Sequence, residues 1–190
     1  MEIRRARASD NFREIAELIY ETDKFIYPNL ATSKSEAIDI IIDMIKSRTI
    51  YNYKNCLIAI ENSCIVGLIC YTQKTSVKNC YDKWLSSDNK LKHVIENYIL
   101  KCEEELKESE IAFTCVCVKA EYRRRKIASR LIQYMFHLFP NRYFYLYTLK
   151  QNFAAINLYQ SMGFETIKEQ KGYNYYYKRK PIIYLMGKQN

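Results

Sequence analysis

Residues 111 to 118 read Ile-Ala-Phe-Thr-Cys-Val-Cys-Val, seven apolar side chains and one threonine with no charge among them. The run is too apolar and too β-branched for a surface helix. It reads as a central strand buried on both faces. A cationic loop follows at once, Arg123-Arg124-Arg125-Lys126. Beyond it Ile127, Ala128, Leu131, Ile132, Met135 and Phe136 repeat as i, i+1, i+4, i+5. That repeat marks one face of a helix over about 124 to 138. A buried strand needs cover on both sides, so a strand leading through a basic turn into an amphipathic helix points to a layered α/β architecture.

The remaining elements agree. Residues 2 to 6 can start a strand, and Ser9 is expected to cap a helix with the inner face Phe12, Ile15, Ala16 and Ile19. Ser33 and Glu36 form a capping-box pattern ahead of an Ile-rich helix ending near Lys46. Residues 56 to 60 and 65 to 73 read as a hairpin turning at Glu61-Asn62-Ser63. An insertion of about 76 to 108 contains an expected helix over 89 to 107, whose apolar positions run from Leu91 to Leu106 in three-four spacing. Residues 143 to 149 are a strand by aromatic content. Asn152 is placed to cap a short helix carrying Ala155, Leu158, Tyr159 and Met162, which Gly163 ends. Strands over about 165 to 171 and 181 to 186 close the order. The expectation is an α/β sandwich with a mixed sheet of about seven strands, an extra helix between the third and fourth, and one domain over 1–190.

Charge adds a functional hint. The chain of 190 residues has 30 Lys and Arg against 21 Asp and Glu, a formal net charge of +9. Residues 119 to 190 carry 14 basic and three acidic side chains, so the excess lies wholly in this part. Such a surface attracts anions, whether a phosphate-bearing cofactor, a nucleic acid or nothing more than solvent. Cations at a helix N-terminus oppose the helix dipole unless an anion binds there, and the free N–H groups of that first turn can hold a phosphate. The seven cysteines are odd in number and form no Cys-x-x-Cys pair, and only two histidines are present. A disulfide framework and a metal site are therefore not expected, and a cytoplasmic, reducing location is. No run reaches the length of a membrane span, and the start is not that of a signal peptide.

Two strings carry a resemblance. Arg123-x-x-Lys126-x-Ala128 stands after the buried strand, flanked by Val118, Glu121-Tyr122, Ser129 and Leu131. Downstream lies Asn152-x-x-Ala155-x-x-Leu158-Tyr159-x-x-x-Gly163-Phe164. Together they resemble the two signatures of the GNAT superfamily of acyl-CoA-dependent N-acetyltransferases, an Arg/Gln-x-x-Gly-x-Gly/Ala loop and an Asn-x-x-Ala-x-x-Leu-Tyr-x-x-x-Gly-Phe helix. Every listed residue of the second is present. Weaker similarities extend over nearly the whole chain, including Ile3-Arg4-Arg5-Ala6 with Asp10, Ile65-Val66-Gly67 and the closing Ile-Ile-Tyr-Leu-Met run.

The resemblance implies a GNAT fold and acetyl-CoA as co-substrate, with no metal. The amine acceptor would attack the thioester directly, with no acyl-enzyme. It implies that Val116, Cys117 and Val118 offer backbone groups to the pantetheine arm. Arg123, Arg124, Arg125, Lys126, Ile127, Ala128 and Ser129 would hold the pyrophosphate, and Asn152 would contact the cofactor arm or cap its helix. A backbone N–H at Val118 or a neighbour would stabilise the oxyanion. Tyr159 would protonate the leaving thiolate. Lys126 stands where the family usually has glycine, and is expected to present its N–H from an ordinary helical conformation.

No residue is singled out as general base; Glu110 is a candidate by location. Cys115 and Cys117 are expected to be core residues rather than nucleophiles, and His93 and His137 surface residues. Glu103-Glu104-Glu105 reads as a solvated helix face. The acceptor is expected to be a primary amine of a small molecule or peptide. A macromolecular acceptor such as ribosomal protein or tRNA, and a non-catalytic acyl-CoA- or nucleic-acid-binding module, are the alternatives. The insertion and segment 171–180 are expected to shape the acceptor pocket; the segment also reads as a hairpin between the last two strands, a stacking and charged surface for nucleic acid or another anionic acceptor, or a dimer contact, and a monomer or homodimer is expected.

Overall fold

The computed structural model describes residues 1–22, 27–47, 49–73, 106–171 and 182–190. The expected helix over 89–107 lies outside these except for its last two residues, as do His93, the three glutamates and nearly all of 171–180. Seven strands form one sheet in the order β1-β2-β3-β4-β5-β7-β6. They are β1 (Glu2–Arg5), β2 (Cys56–Glu61), β3 (Cys64–Gln73), β4 (Glu110–Val118), β5 (Tyr143–Leu149), β6 (Glu165–Lys171) and β7 (Ile182–Gln189). The β4–β5 pair is parallel and every other pair is antiparallel. Among the described residues four helices accompany them, α1 (Phe12–Tyr20), α2 (Lys34–Lys46), α3 (Ile127–Leu138) and α4 (Phe153–Ser161).

Strand alternation sorts the core into two faces. Cys56, Ile58, Leu68, Cys70, Cys115 and Cys117 pack against α1 and α2. Leu57, Val66, Ile69, Ile111, Phe113, Phe144 and Leu146 pack against α3 and α4. β4 is buried on both faces, as its composition demands. The hairpin turns on two residues, Asn62 at φ 51° and Ser63 at φ 62°, a tight reversal compatible with strand twist.

The expected cap of α1 is corrected. Asn11, not Ser9, caps it, with its side chain accepting from Arg13 and Glu14 N–H. Asp10 just before it accepts both guanidinium nitrogens of Arg4, at 2.8 and 2.6 Å, and Arg7 N–H at 2.6 Å. The chain entering the helix is thereby pinned to β1, and the cap falls two residues later. At α2 the Ser33 hydroxyl caps Glu36 N–H at 3.2 Å, while the Glu36 carboxylate reaches back to Thr32. No described helix is long and apolar enough to cross a membrane.

Candidate active site

β4 and β5 run side by side from Glu110–Tyr143 to Phe113–Leu146, and there their pairing ends. β4 continues to Val118 bonded only to β3, and β5 continues to Leu149 bonded to β7. The two strands therefore part into a V whose vertex lies at Phe113 and Leu146. Lys119 N–H donates to Val66 O on β3. Strand alternation then turns the N–H groups of Val116 and Val118 toward the open side of the V, and that of Cys117 toward β3. An extended amide chain can add to this edge as a strand would.

The loop at the far end of β4 starts with Lys119, which caps a 3-10 turn at Ala120–Tyr122. α3 begins at Ile127 and not near 124, because Arg124 at φ 64° and Lys126 at φ 60° are both left-handed. The expectation of ordinary helical geometry at Lys126 is thus corrected: lysine keeps the backbone shape that glycine adopts freely, at a cost of roughly 1 kcal/mol. The shape has a consequence. Arg125 N–H closes the turn over Arg123–Arg124, while among the described residues the backbone N–H groups of Arg124 and of Lys126 through Ser129 donate to no protein acceptor. Five donors lie at a helix N-terminus and the loop before it, an arrangement that suits a phosphate. Gly67 packs beneath it. A Cβ there would stand 3.2 Å from Cys117 O and Ile127 Cγ2, so the glycine lets β3 approach both the strand end and the helix start.

The four loop cations do not act alike. Arg123 Nε donates to Val118 O at 3.1 Å. Arg125 pairs with Glu61 at 3.4 Å and lies over the Tyr122 ring at 5.0 Å. Arg124 and Lys126 are exposed and have no acidic partner among the described residues. They are the two cations left for an incoming anion. Behind the loop, Lys119 Nζ meets Glu14 at 3.3 Å, and the same carboxylate oxygen accepts Ile65 N–H at 2.8 Å. Glu14 so ties α1 to the cofactor-side loop, a role that nothing near it in sequence advertises.

Tyr159 reaches the V from α4. Its ring packs on Phe164 at 5.8 Å, which in turn packs on Phe113 at 5.9 Å. The residue is buried, and its phenol makes no hydrogen bond among the described residues. Burial pushes its pKa up, aided by the nearby thiols of Cys115 and Cys117, so the proton is retained throughout the neutral range. Those thiols are themselves core groups. Burial pushes Cys117 up to about 12, which leaves it protonated and unreactive. Asn152 caps α4 by accepting Ala155 N–H at 3.3 Å, and Gly163 at φ 85° ends the segment.

Glu110 is drawn away from the chemistry. Its carboxylate accepts Lys107 N–H at 2.9 Å at the start of β4, roughly 13 Å from Thr114 at the rise of a strand. His137 is exposed. Thr114 was a residue without a role in the sequence, though it is the single polar position of the apolar run. In the fold it is the extra residue of a β-bulge: Cys70 pairs with Cys115 and Tyr71 with Phe113, leaving Thr114 unpaired. Its Oγ1 is buried with no hydrogen-bond partner.

On the sheet face away from α3 and α4, a cavity of about 560 Å³ runs along Tyr143, Tyr145 and Tyr147, with Glu110, Ile167 and Leu185 on its walls. Its Tyr147 end lies one residue past the vertex. No group of three or more His, Cys, Asp or Glu that could hold a metal occurs among the described residues.

The sequence matches the family model described as "Acetyltransferase (GNAT) family" over residues 16–164. No curated protein matches it. Among solved structures, an N-acetyltransferase from Staphylococcus aureus Mu50 superposes with a TM-score of 0.75 at 19% identity, covering 99% of this chain and 100% of that one. The yncA protein of Salmonella typhimurium, whose structure holds its cofactor acetyl-CoA, gives 0.62 at 14% identity over 100% and 93%. The ribosomal-protein-S18-alanine N-acetyltransferase of Escherichia coli gives 0.62 at 12% over 99% and 92%. At these identities the likeness is one of fold.

Proposed function

The chain belongs to the acetyltransferase (GNAT) family, acyl-CoA N-acyltransferases that use acetyl-CoA, and from that membership we propose that it acetylates a primary amine of a small molecule or peptide. The observation that carries this reading is the V between β4 and β5, with the buried Tyr159 phenol near it and five free N–H groups at its outer end.

In this reading acetyl-CoA is a substrate that supplies the activated acetyl group. The N–H groups of Arg124 and of Lys126 to Ser129, with the charges of Arg124 and Lys126, hold the pyrophosphate. Val116 and Val118 bind the pantetheine amides and give one N–H to the thioester oxygen as negative charge develops there. The amine nitrogen bonds to the carbonyl carbon to give a tetrahedral intermediate, and its collapse breaks the C–S bond. Tyr159 gives its proton to the departing sulfur, whose free thiol has a pKa near 8.5. The surplus proton of the amine leaves through water. Asn152 holds the start of α4 and faces the arm from the β5 side. The chain works as one catalytic unit in a reducing, cytoplasmic compartment, as a monomer or homodimer.

The test is CoA release from acetyl-CoA with spermidine, tyramine and short peptides bearing a free N-terminus, beside calorimetric titration of acetyl-CoA. Amine-dependent release is expected. No binding heat at millimolar acetyl-CoA, together with no release, ends the enzymatic reading; binding without transfer to any amine leaves a non-catalytic acyl-CoA module.

A further inference from the structure

The cavity on the face away from α3 and α4 has an order that follows from strand register. Glu110, Tyr143 and Gln189 are partners across β4, β5 and β7, and they line one end of it. Tyr147 and its partner Leu185 line the other end. Tyr145 stands between, its ring 6.4 Å from that of Tyr147. Opposite Tyr145 on β7 is Gly187, where a Cβ would overlap the Tyr143 hydroxyl and Ile167 Cδ1. The glycine lets Tyr143 and Ile167 lean across the sheet. Three tyrosines thus run in file from a carboxylate toward the V.

The Tyr147 end is the side from which an acceptor can reach the V. On the α3 and α4 face, Phe113, Leu146 and Tyr159 close into one core. On the opposite face the β4 arm is covered, since Cys115 and Cys117 pack under α1 and α2. Among the described residues the open flank is that of the β5 arm at Tyr147, and the cavity runs along it.

The far end holds a carboxylate that is only partly satisfied. The Glu110 side chain is 17% exposed. One of its oxygens accepts Lys107 N–H at 2.9 Å, and the other stands 3.9 Å from Lys107 Nζ, beyond hydrogen-bond reach. The Lys107 side chain is 80% exposed, and an exposed pair of that kind contributes little. A part-buried carboxylate at the end of three aromatic rings attracts an organic ammonium group, by charge and through the ring faces.

Length then selects the ligand. From Glu110, β4 rises three residues to the vertex at Phe113 and three more to Val116, roughly 10 and 20 Å. A thioester held between those two points lies within that range of the carboxylate. An extended aliphatic chain advances about 1.25 Å per bond, so terminal nitrogens about nine to thirteen bonds apart span roughly 11 to 16 Å. A short monoamine or diamine cannot occupy both ends.

We propose that the acceptor is an elongated polyamine, its reacting amine delivered to the V over Tyr147 and its distal ammonium held by Glu110 at the far end of the tyrosine file. The proposal rests on the acetyltransferase reading of this site. Glu110 takes no part in the chemistry; it selects the acceptor by charge and length.

The experiment follows CoA release with butylamine, 1,3-diaminopropane, spermidine and spermine, in wild type and in Glu110→Gln. Glutamine still accepts Lys107 N–H and loses only the charge, and Tm is read beside the kinetics. Wild-type kcat/KM for spermidine or spermine should exceed that for the two short amines at least tenfold. Glu110→Gln should lower the spermidine-to-butylamine ratio at least tenfold, through KM rather than kcat. Equal kcat/KM along the wild-type series overturns the proposal, and so does a ratio that survives Glu110→Gln in a folded protein. Transfer confined to tyramine or to peptides overturns it as well. Each of these results leaves the acetyltransferase reading intact, whereas transfer to no amine at all overturns both.

Discussion

Arg123 Nε donates to the Val118 carbonyl across 3.1 Å, tying the first residue of the cationic loop to the last residue of β4. The bond holds the strand end, which offers its N–H to the V, in register with the loop that offers five more. A lysine in its place retains the charge but not the planar fork that fits this carbonyl. Arg123→Lys should therefore weaken acetyl-CoA binding by about 10-fold or more, the effect of losing a charge-assisted hydrogen bond. Isothermal calorimetry reads it directly, and an unaltered Kd would mean that the bond does not organise the site.

Lys126 makes an opposite prediction for stability. Its left-handed φ of 60° is natural to glycine and unfavourable to lysine. Lys126→Gly should raise Tm by on the order of 2 to 4 °C, the equivalent of roughly 1 kcal/mol in a chain of this size. Because the N–H cradle keeps its shape, acetyl-CoA affinity should stay within about threefold. A lower Tm would show that the lysine side chain offsets its own backbone cost.

Tyr159 is tested by removing one atom. Tyr159→Phe keeps the ring on Phe164 but removes the proton donor. Turnover should fall at least tenfold with acetyl-CoA affinity close to wild type. Since burial raises the phenol pKa, the ratio of the two turnover numbers should be flat between about pH 6 and 9, below the ordinary phenol pKa. A ratio that collapses toward one within that range would remove Tyr159 from the mechanism.

Asp10 governs a pH dependence of folding. The hydrogen bonds from Arg4, with that from Arg7 N–H, hold its carboxyl below the usual carboxylate range. A carboxyl with a lowered folded pKa stabilises the fold above its unfolded value near 4 and loses that contribution as pH falls through the lower folded value. Asp10→Asn should destabilise by about 1 to 3 kcal/mol at neutral pH. The Tm gap between the two proteins should narrow as pH falls below about 4. A gap independent of pH would assign the effect to packing rather than charge.

Much of this protein was legible along the chain, because the signals were local. The apolar run at 111–118 had to be a buried strand, the i, i+1, i+4, i+5 repeat had to be a helix face, and Asn152 and Gly163 bracketed α4 by the ordinary chemistry of helix ends. Ser9 misled because a capping side chain is recognised by type, whereas the cap that forms depends on where the chain is held. Arg4 reaches across from β1 to hold Asp10, and the helix starts after it.

The local code of strand, turn and helix determined the seven strands, the four described helices and the two strings that mark the family, since each depends on residues close in sequence. Tertiary structure alone decided that β4 and β5 part after Phe113 and Leu146, that Arg125 is taken by Glu61 while Arg124 and Lys126 have no acidic partner among the described residues, and that Thr114 is left over at the bulge. Each of these is a pairing between distant segments. No periodicity encodes it, because its free energy comes from neighbours that only the folded sheet brings together.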